Sequence, residues 1–221
     1  MTPGGSRGGY GQFCGLARAL DLLGGRWALL VVRDLMLGPK RFGELQEGLP
    51  GIPTNVLTAR LRELEEGGVV ERRAQARPGS GVVYALTDYG RELEEPMRSL
   101  GFWGAKTMGA PHAGDYFSVE SFALALRGSF RPKEARGHRR VYELRLGGKT
   151  IQLAVSSGKL TVPVVPPAEP DAVFSADPGV IVSLLYGDID VDAAIDSGQL
   201  TVDGDRAEAH RMFRMFRAPD A

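Results

Sequence analysis

The segment Thr54-Asn55-Val56-Leu57-Thr58-Ala59-Arg60-Leu61-Arg62-Glu63-Leu64-Glu65 constrains this 221-residue chain more than any other. Leu57, Leu61 and Leu64 recur at the spacing that lines up apolar side chains on one helical stripe. On a helical wheel Asn55, Thr58, Ala59 and Arg62 fall towards the opposite side. That outward face is slim, with hydrogen-bonding tips and one guanidinium. A helix enters the DNA major groove only with a slim outer face, and Asn and Arg pair bidentately with adenine and guanine edges. Taken alone, the segment also reads as an ordinary surface helix of mixed charge, so its flanks decide.

A small helix is expected at Arg41–Glu47, followed by the turn Gly48-Leu49-Pro50-Gly51-Ile52-Pro53. After the long helix come an expected strand at 69–76, a Gly/Pro turn and a second strand at 82–87. Helix, turn, helix, hairpin is the layout of a winged helix-turn-helix. Upstream, a helix from Gln12 to Leu23 carries Leu16, Ala19, Leu20 and Leu23 on one stripe and breaks at Gly24-Gly25. A second helix is expected from Trp27 to Leu37, stopping at Gly38-Pro39. Downstream, Asp88 is the expected N-cap of a helix from Tyr89 to Trp103, kinked at Pro96. Its Leu93, Leu100, Phe102 and Trp103 have no place in a compact winged core, so a partner chain is their natural burial site.

The pattern divides the chain into a flexible Gly-rich tail (1–11), a winged domain (12–104), a linker (105–115) and a second domain (116–217). In the second domain Ser118 is the expected cap of a helix through Leu126. Strands are expected at 140–146, 149–155 and 159–165, with hairpin turns at Gly147-Gly148 and Ser157-Gly158. A strand at 171–176 follows, then a helix behind Asp177-Pro178, a short helix at 189–196, a strand at 198–204 and a closing helix at 205–216. This half is an α+β domain with a mostly antiparallel sheet.

Net charge is zero, which by itself argues against a nucleic-acid partner. Its distribution is only mildly asymmetric. Residues 1–108 hold 14 Lys and Arg against 12 Asp and Glu, and residues 109–221 hold 13 against 15. The DNA reading therefore rests on motif and local placement. No apolar run approaches the roughly 20 residues of a membrane span, and the N-terminus lacks a signal core. One Cys excludes an internal disulfide and fits a reducing cytoplasm. His112, His138 and His210 lack metal-ligand spacing, and no catalytic constellation or phosphate-binding Gly loop is present. No cofactor, metal or enzymatic activity is expected.

Residues 14–104 resemble the HxlR-type family of bacterial winged-helix regulators. The resemblance is carried by Cys14, Ala19-Leu-Asp-Leu-Leu-Gly-Gly-Arg-Trp27, Arg33-Asp-Leu35, Arg41-Phe-Gly-Glu-Leu45, Pro53 to Glu65 and Tyr84-Ala-Leu-Thr-Asp-Tyr-Gly90. It implies a homodimer on a pseudo-palindromic double-stranded operator, joined through the helices near 12–23 and 89–103. Gly15 departs from the family, which usually has Pro after its early Cys. Residues 116–217 resemble the sterol carrier protein type of lipid-binding domain. That resemblance rests on the strand pair 149–165, on Pro170-Asp-Ala-Val-Phe174, on Leu184-Leu-Tyr-Gly187 and on Gly198 to Asp205. It implies an apolar tunnel and a small hydrophobic ligand.

Groove chemistry assigns Asn55, Thr58 and Arg62 to base edges, and Thr54, Arg60, Lys40 and Arg41 to phosphates. Arg60 lies nearer the core flank, where a structural role is almost as well supported. The wing tip, with Arg77 and Ser80, is either a minor-groove reader or a solvated turn. Cys14 is either a redox sensor, as in some members of the resembling family, or a small buried apolar residue. Phe122, Leu126, Leu153, Val155, Val162, Ile181, Leu185, Met212, Phe213 and Phe216 are candidate ligand-cavity walls, or simply a packed core. The leading expectation is a cytoplasmic, homodimeric regulator with a ligand-sensing second domain. The alternative is a lipid carrier whose winged half is a dimerising interaction module.

Overall fold

The computed structural model describes residues 9–75, 81–108, 115–162 and 169–216. Contacts divide the chain into two compact units between Met97 and Arg98. In the first, α1 (Gly15–Leu23), α2 (Ala28–Leu35), α3 (Phe42–Gly48) and α4 (Thr54–Glu66) precede β1 (Val70–Gln75), β2 (Gly81–Leu86) and α5 (Asp88–Arg91). The core is built where three apolar stripes meet. Val31, Val32 and Leu35 of α2 and Leu45 of α3 pack with Leu57, Leu61 and Leu64 of α4, closed by Val69, Val70 and Leu86 of the hairpin. β1 and β2 pair antiparallel from Val70–Leu86 to Gln75–Gly81. Lys40 adds a bridge to Tyr84, with both backbone N–H groups donating across it.

Three expectations are corrected. Trp27 is not helical. It stands at the N-cap of α2 in the left-handed region, φ 80°, and its indole packs against the core. The helix expected from Tyr89 to Trp103 is two helices, α5 and α6 (Glu94–Ala105), broken at Glu92-Leu93 rather than kinked at Pro96. Pro96 falls in the first turn of α6, where an N–H would have no intrahelical acceptor, so its ring costs little. Thr87, not Asp88, caps α5, its hydroxyl accepting from Gly90 N–H at 2.9 Å.

The second unit contains α7 (Val119–Ser129), β3 (Arg139–Leu146), β4 (Lys149–Ser156), β5 (Lys159–Thr161), β6 (Ala172–Ala176), α8 (Pro178–Tyr186), α9 (Val191–Asp196), β7 (Leu200–Asp203) and α10 (Arg206–Arg214). The five-stranded sheet runs β5-β4-β3-β6-β7, with only β3 and β6 parallel. Ser118 and Asp177 cap α7 and α8 as their positions predict. Both hairpin turns need positive φ at two successive residues. Gly147 and Gly148 supply it freely, and Ser157 adopts it beside Gly158. The strand expected at 159–165 is described only to Thr161, and residues 163–165 lie outside the described set. On the inner sheet face Tyr142 stacks obliquely on Phe174, which meets Phe213 edge-on. The Tyr142 hydroxyl donates to Oε2 of buried Glu208 at 3.0 Å, and burial pushes its pKa well above the usual phenol value.

One close approach ties α5 to the hairpin. A Cβ at Gly90 would lie 2.1 Å from the Val69 carbonyl oxygen, and Thr87 holds the same strand end by donating to Gly68 O at 2.7 Å. Gly90→Ala should therefore destabilise by about 1–3 kcal/mol or more. Gly43→Ala, in exposed helix with open space around the new methyl, should be neutral or stabilising by up to about 1 kcal/mol. Urea denaturation of both variants checks the opposite signs.

Candidate nucleic-acid interface

The side chains expected to meet DNA are placed by the burial of their neighbours. Leu57, Leu61 and Leu64 are sunk in the core, so Thr54, Asn55, Thr58 and Arg62 are all exposed on α4. The turn before α4 is pinned by buried Leu49 and Ile52, with Gly51 at φ 85° making the reversal. Gln46 of α3 donates its amide to the Thr54 hydroxyl at 2.8 Å, fixing the start of α4 against α3. Thr58 turns its hydroxyl back to the Thr54 carbonyl at 2.8 Å. Its methyl then becomes an apolar contact suited to a thymine methyl. The Asn55 amide has no hydrogen bond among the described residues.

The two arginines of α4 differ sharply. Arg62 is 79% exposed, and its Nε donates to Glu66 Oε1 at 2.8 Å, one helical turn away. That hydrogen bond and the carboxylate's charge hold the guanidinium pKa above its ordinary value. Arg60 points back towards the α1–α2 turn and pairs with Glu63 at 2.5 Å. A Cβ at Gly25 would overlap its guanidinium at 1.9 Å, so the glycine leaves the space that this side chain fills. Sequence reasoning read Gly24-Gly25 only as a helix breaker and missed this packing role. It also missed Gln46, for which spacing gives no signal, and Glu66, whose i, i+4 relation to Arg62 was available.

Around α4, Lys40 is held by its bridge to the wing, and the Arg41 backbone N–H donates to Glu44 Oε2 at 2.6 Å. The Arg41 guanidinium lies beside Gly81 at the start of β2. On β1, Arg72 sits 5.8 Å from the centre of the Tyr84 ring and Arg73 pairs with Glu71. Arg77 and Ser80 of the wing tip lie outside the described residues. Cys14 is exposed at the N-cap of α1.

Residues 22–111 match the HxlR-like helix-turn-helix family. Over 93 residues this part is 38% identical to the uncharacterized HTH-type transcriptional regulator YdeP of Bacillus subtilis, covering 42% of this chain and 73% of YdeP. The chain belongs to the HxlR-like helix-turn-helix family. It is also 40% identical over 84 residues to the HTH-type regulator sll1512 of Synechocystis, covering 38% of this chain and 62% of that relative. The crystal structure of ytcD, a putative HTH-type transcriptional regulator, aligns with 36% identity and a TM-score of 0.40, over 42% of this chain and 96% of its own. Residues 125–217 match the SCP-2 sterol transfer family.

In the SCP-2 domain the ten expected cavity-wall residues, Phe122, Leu126, Leu153, Val155, Val162, Ile181, Leu185, Met212, Phe213 and Phe216, are all buried. Of these, Phe216 stacks obliquely on Phe130 and Phe213 meets Phe174 edge-on. A cleft of about 380 Å³ is instead lined by Glu134, His138, Ala207, His210, Arg211 and Arg214, none of them among the ten.

The two α4 arginines of the HxlR-like domain should separate in a stability assay. Arg60→Ala should cost about 1–2 kcal/mol by emptying the space over Gly25. Arg62→Ala, on the solvent face, should stay within about 0.5 kcal/mol of the parent. Thermal and urea unfolding of the two variants give the comparison.

Proposed function

We propose that this chain is a cytoplasmic, homodimeric, sequence-specific transcriptional regulator whose SCP-2 domain responds to a small hydrophobic ligand. The observation that carries the DNA reading is the one-sided α4. Three leucines lock one face while Asn55, Thr58 and Arg62 stand clear on the other. In this reading Asn55 and Arg62 address base edges in the major groove, with the Thr58 methyl between them. Thr54, Lys40 and Arg41 flank that surface and hold phosphates. Arg60 is assigned a structural role and no DNA contact. Arg77 and Ser80 are the candidate wing contacts. Cys14, exposed beside α1, is retained as a candidate redox sensor.

The dimer reading is supported by apolar side chains left in water. On α1 and just before it, Phe13, Leu16 and Leu20 are exposed, Leu16 by 69%. On α6, Leu100 and Trp103 are exposed, Trp103 by 71%, and the helix buries no residue. Exposed large apolar stripes on helices mark association surfaces. A two-fold dimer would present two α4 helices to successive major grooves about 34–36 Å apart. For the hydrophobic ligand, the ten buried residues supply the apolar surface, and they must part for it to enter. No residue is assigned a catalytic role.

Two outcomes are expected. In fluorescence anisotropy on an operator from the chain's own upstream region, Arg62→Ala should weaken specific binding by about 1–3 kcal/mol and relax base preference. Binding should also fall steeply with salt, as counterion release requires. Unchanged affinity and preference would remove the Arg62 assignment. Salt-independent binding would remove the DNA reading. Leu16→Glu and Trp103→Glu together should convert a dimer to a monomer in analytical ultracentrifugation and lower operator affinity. A parent chain that sediments as a monomer would remove the dimer reading.

A further inference from the structure

The cleft of about 380 Å³ in the second unit has a chemistry that the apolar-ligand reading does not use. His210, Arg211 and Arg214 enter it from α10, and Glu134 and His138 from the turns that precede β3. The lining thus holds two guanidiniums and two imidazoles beside the Glu134 carboxylate, with Asp192, Asp205 and Glu208 set against His210 and Arg211. Part of this lining is fixed from behind. Arg211 Nη2 donates to Asp205 Oδ2 at 3.2 Å, and Arg211 Nε lies 3.4 Å from Oε1 of Glu208. Glu208 is only 7% exposed and is itself held by the Tyr142 hydroxyl and by Arg140. His210 Nε2 stands 3.1 Å from Asp192 Oδ1. The remaining groups are uncommitted. Among the described residues, the side chains of His138, Glu134 and Arg214 make no hydrogen bond or ion pair.

Arg214, which pairs with no carboxylate among the described residues, gives this concave site a cation that attracts anions. The cleft's volume falls in the range of small-molecule sites. Part of its donor set is taken, Arg211 by Asp205 and Glu208 and His210 by Asp192. The Arg214 fork, the His138 ring N–H and the Arg211 N–H groups not directed at Asp205 or Glu208 match an oxyanion with three or more acceptor oxygens.

We propose that this cleft binds a phosphate group. Arg214 and the unengaged edge of Arg211 are its guanidinium donors, His138 is its imidazole donor with His210 held beside the site by Asp192, and Glu134 limits affinity by repulsion. The phosphate is carried either by a small soluble molecule or by a lipid headgroup, and both share the same recognition.

The test uses the full chain. Imidazole signals are followed by NMR during titration with inorganic phosphate, against sodium chloride at matched ionic strength. Saturable shifts of both His138 and His210 are expected with phosphate alone. Arg214→Gln, at an exposed position that should not disturb folding, should weaken binding by about tenfold or more, the loss expected for one charge-assisted hydrogen bond. Glu134→Gln should tighten it, and Lys159→Gln, outside the cleft, should leave it unchanged. Co-sedimentation with phosphatidic acid vesicles, competed by inorganic phosphate and lost in Arg214→Gln, would assign a lipid headgroup. Saturable phosphate binding without vesicle binding would assign a soluble phosphate. Shifts that sodium chloride reproduces, or binding that survives Arg214→Gln unchanged, would overturn the proposal.

Discussion

The first unit depends on the burial of three leucines. Leu57, Leu61 and Leu64 are each at most 2% exposed, and each fully buried leucine is worth about 1.5–3 kcal/mol relative to exposure. They fix the rotation of α4 about its own axis. Once that rotation is set, Thr54, Asn55, Thr58 and Arg62 can only face outward, and Arg60 can only face the α1–α2 turn. The wing is tied to the same core through Val69, Val70 and Leu86. The candidate recognition surface is thus a by-product of core packing, and the proposed binding face lies opposite the face that stabilises the fold.

Much of this was legible from residues alone, because periodicity is a local signal. The leucine spacing of α4, the Asp177-Pro178 start of α8 and the paired turns at 147–148 and 157–158 each declare themselves within a few residues. What escaped was set by distant neighbours. The break at Glu92-Leu93 arises where the chain leaves the close contact of Gly90 with Val69, which no window around residue 92 contains. Pro96 looked like the disruptive residue, yet a proline in a first turn disrupts nothing. Trp27 looked helical because its neighbours are apolar, whereas its backbone turns left-handed with the indole on the core. Arg60 and Arg62 differ on the helical wheel, but the space over Gly25 that the Arg60 guanidinium fills comes from the distant α1–α2 turn and not from its own helix.

The second unit shows the same limit for polar groups. Its inner sheet face was readable as alternation, and Tyr142, Leu144 and Leu146 are fully buried as alternation requires. Glu208 was not readable, since a carboxylate on a helix is usually a solvated one. It is buried because Tyr142 from β3, Arg140 from β3 and Arg211 from its own helix converge on its two oxygens. A buried carboxylate without such partners would protonate or stay outside. The two contacts from β3 span more than sixty positions of sequence, so they emerge only when the sheet and α10 are assembled.

Zero net charge gives the Arg62–Glu66 pair its meaning in the proposed regulator. A strongly basic chain gathers DNA by long-range attraction and then holds any sequence through phosphates. A neutral chain has little of that pull, so discrimination must come from short-range contacts at base edges. Glu66 sharpens this further. Its carboxylate already occupies the Arg62 guanidinium, and on a non-cognate site nothing better than that pair is offered. Such a pair, fully solvated, is worth at most about 1 kcal/mol, so a guanine edge presented in bidentate geometry can displace it. In the proposed regulator the ion pair would set a low threshold that a matched base clears and an unmatched one does not, so that local placement on α4 supplies the selectivity that a zero net charge cannot.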